Sequence, residues 1–233
     1  MKTTILSAMI ALTAGSIIAA DPSPQEAITN ACKALGEKAN YSWRTTVVVP
    51  EDAQYKPSPT DGKTEKDGLT HYSMSFFDNP FNVYQKGDKA AFPDQDGNWQ
   101  SLAESANAEG PGAFLGQFVR NLRTPVIEAE ELAGATTELK KDGDAYVSDL
   151  TEQGAKQFLS FRRDPKDANV SNAKGSVKFW LKDGELTKYE FKVKGTVDWN
   201  GNPIDSDRTT TVEIKDVGTT KVEIPEDAKK KLS

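Results

Sequence analysis

The stretch GSVKFWLKDGELTKYEFKVKGTVDW, residues 175–199, alternates between charged and apolar positions. Lys188, Glu190, Lys192 and Lys194 fall on one side, and Tyr189, Phe191, Val193 and Val197 on the other. A period of two marks half-buried β-strands, because successive side chains leave a strand on opposite faces. Asp183-Gly184 between the two runs has the composition of a type I′ hairpin turn. The pattern specifies a sheet that is wet on one face and apolar on the other.

The same reading extends along the chain. Ser23 caps a predicted helix from Pro24 to Lys38, with Glu26 in its first turn. YSWRTTVVV reads as a strand with Tyr41, Trp43, Thr45, Val47 and Val49 on one face. Residues 52–68, rich in Pro, Asp, Lys and Gly, read as an exposed loop. LTHYSMSFF is a strand presenting Tyr72, Met74 and Phe76; Pro80 interrupts it, and FNVYQKGDKAAF continues as a hairpin turning at residues 86–88. A turn at Asp96-Gly97 leads into NWQSL.

The period then changes. Phe114, Leu115, Phe118, Val119 and Leu122 stand at helical spacing between Pro111 and Pro125, and a second short helix is expected from Val126 to Leu132. A hairpin at Asp142-Gly143 follows, and Thr151 caps the helix EQGAKQFLSFRR. Strands return from Lys174, ending with DRTTTVEIKDV and TKVEI, and Pro225 closes the last before a short basic tail. The expected fold is α+β: a curved antiparallel sheet, open as a half-barrel, with helices covering the concave face. A second covering sheet is disfavoured by the charge on the strands' outer face.

Residues 1–20 are of another kind. Lys2, an apolar run from Ile5 to Ile18 and the small pair Ala19-Ala20 predict a secretory signal peptide cleaved after Ala20. That leaves residues 21–233 as one domain, periplasmic or secreted, with no further segment apolar enough to span a bilayer. Losing Lys2 takes the net charge from −6 to −7, which disfavours nucleic acid and anionic membrane surfaces. No cysteine follows the cleavage site to carry a lipid anchor, and the single Cys32 reads as a buried small hydrophobe on a helix face.

Catalytic signatures are sparse. His71 is the one histidine and falls on the wet face of its strand, so a histidine-rich metal centre is excluded. DQDGN (94–98) and DWNGN (198–202) resemble the start of calcium loops, but Ser105 and Thr209 stand where the bidentate glutamate belongs, and both read as turns. Glu128, Glu130 and Glu131 read as a solvated helix face. No cofactor, metal ion or enzymatic activity is expected. What remains is an aromatic hollow beneath a helical lid containing Gly110, Gly112 and Gly116. Trp43, Tyr72, Met74, Phe76, Phe114, Leu115, Phe118 and Phe191 are the candidate lining of an apolar ligand cavity.

NPFNVYQKGDKAAFPDQDGNWQSL and the closing pair of hairpin strands resemble the LolA/LolB lipoprotein-carrier superfamily and its LppX/LprG-type relatives. The resemblance covers nearly all of residues 21–233 and implies an open half-barrel binding a lipid, an acyl chain or a lipidated protein without covalent chemistry. Asn82 and Val83 stand where such carriers usually have an arginine, so the resemblance implies lipid binding more than lipoprotein handling. The alternative is a periplasmic interaction or envelope-stress sensor module that grips an envelope protein on the same fold.

Overall fold

The structure is a computed structural model that describes residues 21–53, 55–76, 79–106, 110–160, 169–199 and 201–233; for Phe76, Pro111 and Trp199 it describes the backbone alone. The predicted leader, residues 1–20, lies outside the described residues.

An eleven-stranded antiparallel sheet forms from two meanders. The first contains β1 (Asn40–Val48), β2 (Thr60–Glu65), β3 (Thr70–Phe76), β4 (Asn79–Lys86), β5 (Lys89–Pro93) and β6 (Trp99–Ser101). The second contains β7 (Lys140–Asp142), β8 (Ala145–Asp149), β9 (Val170–Lys182), β10 (Glu185–Trp199) and β11 (Asn202–Lys215). The strand order is β6-β5-β4-β3-β2-β1-β11-β10-β9-β8-β7, so the meanders join at the centre through β1 and β11. The sheet does not close: β6 and β7 are opposite edges.

This topology explains where the helices go. The chain between β6 and β7 must travel from one edge to the other, and it does so across one face. It carries α2 (Leu102–Ser105), α3 (Pro111–Arg120) and α4 (Pro125–Gly134). The same face receives α1 (Pro24–Gly36) and α5 (Glu152–Leu159), and α6 (Glu226–Lys231) ends the chain. The α+β fold class expected from the alternation is the one observed.

Local chemistry accounts for the elements. Ser23 and Glu26 form a reciprocal capping box at α1, which buries Ile28, Ala31, Cys32 and Leu35 at helical spacing. Thr151 accepts the Gly154 amide at the start of α5 (3.0 Å). Asp183 and Gly184 take φ values of 54° and 79°, the positive pair that a type I′ turn requires. A register shift between Leu186 and Lys188 then turns Leu186 onto the same buried face as Tyr189. Tyr189 stands opposite Phe179 and Val212, and Phe191 opposite Val177, so the β9–β11 inner face is a continuous apolar ladder.

The structure differs from the sequence reading in six places. Residues 60–65, expected in a loop, form β2 between β1 and β3. Gly62 makes that possible, since a Cβ there would overlap the indole of Trp43. Pro80 lies inside β4, paired with Ser75 near the hairpin end where a missing amide costs little. TKVEI joins no ladder: Val222 and Ile224 pack on the outer face against Tyr84, Ala91 and Trp99. The basic tail is helical, as α6, with Glu226 and Asp227 in its first turn and Lys229–Lys231 in its last, matching the helix dipole. Ser101 and Glu104 box a short helix, α2, that the sequence reading did not contain. α1 stops at Gly36, two residues before its expected end at Lys38; α5 reaches Leu159, and the rest of its predicted length, from residue 161, lies outside the described residues.

Candidate functional site

Beneath α1, α4 and α5 the sheet is fully packed. Ile28, Leu132, Phe158, Leu159, Phe179 and Tyr189 are among the most buried side chains, and Phe158 meets Phe191 at 5.3 Å between ring centres. Cys32 sits in this core, and burial pushes its thiol up to about 12, which leaves it an unreactive hydrophobe.

The other half of the inner face is not filled. A groove of about 820 Å³ lies between β1–β4 and the turn that joins α3 to α4. Its sheet wall holds Tyr41, Thr64, Thr70 and Tyr72, and its helical wall holds Leu102, Leu122, Val126 and Ile127. The space exists because β2 and β3 present threonines here where neighbouring strands present rings. Thr64 and Thr70 are buried and bond each other through their hydroxyls (2.8 Å).

The helical wall is tied to the sheet at its ends. Gln85 donates to the Val119 carbonyl (2.9 Å), and Phe118 packs edge-on against Phe81. On the α4 side the Tyr41 hydroxyl faces Thr124 and the Val126 backbone, which oppose the upward push of burial on its pKa. The Tyr189 hydroxyl donates to Glu128 (2.7 Å). Glu128 was expected on a solvated face, yet its carboxyl is enclosed, and burial pushes it above the ordinary glutamate range. Arg123 pairs with Glu131 (2.6 Å), and Arg208 donates to the Phe158 carbonyl. This polar cluster was missed in the sequence. Its one signal is that Glu128 lies in the Pro125, Ala129, Leu132 stripe of α4.

The eight predicted lining residues divide. Tyr72 borders the groove, and Trp43 stands directly behind it, edge to face at 5.5 Å. Met74, Leu115 and Phe118 pack against the main core, as does Phe191. Phe114 is 41% exposed on the far side of α3. The side chain of Phe76 lies outside the described residues. The groove rim carries Lys38, Lys66, Lys89 and Arg120 alongside Glu65 and Asp88. None of the rim was legible from periodicity.

His71 lies on the outer face but is not solvated as expected. It stacks on Tyr84 at 4.5 Å, and Nε2 meets Asn82 Oδ1 at 2.9 Å. Asp94 is a turn residue, accepting from the Asp96 and Asn98 amides (2.9 and 2.8 Å), and Asp198 accepts from Gly201 in the same manner (2.7 Å). Among the described residues no group of His, Cys, Asp or Glu gathers to hold a metal ion, and no helix is long and apolar enough to cross a membrane.

No protein-family model and no curated protein matches the chain. Solved structures do. The Mycobacterium tuberculosis lipoprotein LppX shares 12% identity, covering 87% of this chain and 99% of its own, at a TM-score of 0.48. LprF from Mycobacterium bovis shares 11% identity, covering 88% and 97%, at 0.45. A LolA superfamily protein from Nitrosomonas europaea shares 8% identity, covering 87% and 96%, at 0.36. At such identities and TM-scores these likenesses carry no argument about what the chain does. Function is read from the groove's own chemistry.

Proposed function

We propose that this chain is an exported, non-enzymatic protein that binds or carries a lipid or acyl chain between its sheet and its helices. The observation that carries this reading is the groove of about 820 Å³ left open beside a packed core on the inner face. That volume lies within the range of small-molecule sites, about 300–1,000 Å³. Its walls combine aromatic and aliphatic surface with a polar rim, which suits an amphiphile. Sequestering about ten methylenes offers about 8 kcal/mol before binding costs, at about 0.8 kcal/mol each, and this supports useful affinity without a covalent step. The α3–α4 turn, carrying Leu122, is the part of the wall that moves to admit a chain.

Export rests on the predicted leader and its cleavage after Ala20, and N-terminal sequencing of the protein recovered from the producing cell's envelope checks it. Organic extraction of natively purified protein, followed by mass spectrometry, tests the binding itself. Lipid recovered in stoichiometric amount supports the reading. An empty extract together with no uptake of a fluorescent fatty acid refutes it.

A second reading is an interaction module that grips an envelope protein. The close packing of Ile28, Leu132 and Phe158 among the described residues under α1, α4 and α5 favours it. It predicts capture of a specific protein and an empty groove.

A further inference from the structure

Three tyrosines are buried on the inner face around the groove, and their hydroxyls differ. Tyr189 donates to Glu128 (2.7 Å), and Tyr41 faces the polar groups of Thr124 and Val126. Tyr72 is only 2% exposed, yet its hydroxyl makes no hydrogen bond among the described residues. The ring is buried, but the hydroxyl oxygen is not among the fully enclosed unpartnered atoms, so it keeps contact with the open space of the groove, where a polar partner would satisfy it. Tyr72 is also the one of the three that is both unpartnered and part of the groove wall. Its ring is held in place by Trp43, so the hydroxyl is a fixed donor and not a mobile one.

The mouth of the groove supplies a second, independent feature. Lys66, Lys89 and Arg120 border it and join no ion pair among the described residues, whereas Lys38 is paired with Glu185. Two carboxylates, Glu65 and Asp88, share the rim as opposing charges, and Glu65 also accepts from the Val222 amide (2.9 Å). Arg120 also donates to the Leu102 carbonyl (3.3 Å), and on a chain whose net charge is −6 these three cations leave the mouth with a small positive excess over Glu65 and Asp88.

We propose that Tyr72 is the specificity-determining donor of the groove, hydrogen-bonding an acyl carbonyl oxygen, and that Lys66, Lys89 and Arg120 receive an anionic headgroup at the mouth. The ligand class is an ester-linked acyl amphiphile with an acidic head. This deepens the proposed function and rests on it.

Three single-chain probes separate the parts: palmitoyl lysophosphatidate has carbonyl and anion, monopalmitoylglycerol has the carbonyl alone, and hexadecyl phosphate has the anion alone. Binding is measured by calorimetry on the full-length mature protein. Tyr72→Phe is expected to weaken both ester probes roughly three- to tenfold, the worth of one hydrogen bond, and to leave hexadecyl phosphate unchanged. Because the hydroxyl is unpartnered, the variant keeps the wild-type melting temperature. The combined Lys66→Gln, Lys89→Gln, Arg120→Gln variant is expected to weaken the two phosphate probes and abolish their salt dependence, leaving monopalmitoylglycerol unchanged. If all probes bind and neither variant discriminates among them, the proposal is overturned while lipid binding stands. If no probe binds wild type, both fall.

Discussion

The hydroxyl of Tyr189 donates to the enclosed carboxyl of Glu128 at 2.7 Å, joining the centre of β10 to the first turn of α4. The bond fixes the helix that forms one shore of the groove. Tyr189→Phe leaves a buried carboxyl without its donor, and chemical denaturation is expected to show a loss of about 1–3 kcal/mol. A stability equal to wild type would mean that α4 is held by packing alone.

The same pair sets a pH dependence. Burial raises Glu128 above the ordinary value of 4.5, against the lowering pull of Tyr189, Arg123 and Arg208, with Glu131 adding a further upward push. A carboxyl that holds its proton more tightly when folded stabilises the fold fully below pH 4.5, and that contribution disappears as pH rises through the raised value. The denaturation midpoint of wild type falls over that window, and Glu128→Gln removes this part of the slope. Parallel curves for the two proteins would contradict the assignment.

His71 works in the opposite sense. Desolvation lowers its pKa below 6.5, aided by Lys63 and opposed by Asn82. A histidine with a depressed folded value contributes stability above pH 6.5 that is lost as pH falls through that value. His71→Phe retains a ring to stack on Tyr84 and is expected to reduce the acid-side loss. An unchanged acid limb would exclude His71 as its source.

Gly62 and Trp43 are a close-fitting pair. Gly62→Ala forces the indole off the strand, and overpacking of this kind costs about 1–3 kcal/mol. Tryptophan fluorescence and denaturation together check it, and combining the change with Trp43→Leu should recover part of the loss, as coupled neighbours do.

Much of the architecture was legible. The hairpins with Asp-Gly turns and the alternation of Tyr189, Phe191 and Val193 announced themselves, as did the capped helix at Ser23. β2 did not, because TDGKTE has low strand propensity and becomes a strand through pairing with β1 and β3 on both sides. Val222 and Ile224 do alternate, but they serve an outer apolar cluster with Ala228, not a ladder. The groove was the least legible feature. It is a space left by small polar residues, Thr64 and Thr70, and periodicity reports where side chains are large, not where they are missing. Glu128 was hidden for a related reason: its charge argued for solvent, and only its position in the α4 stripe argued otherwise.

The central claim is that an acyl chain occupies the space between Tyr72 on the sheet and Leu122 and Ile127 on the helical wall. Photo-crosslinking with a diazirine-bearing fatty acid, followed by peptide mapping, measures this directly. Label confined to the segments that line the groove, residues 36–41, 64–72, 85–89, 102–106 and 117–127, is the predicted result. Label scattered over the surface, or concentrated on the packed β9–β10 face, would contradict it.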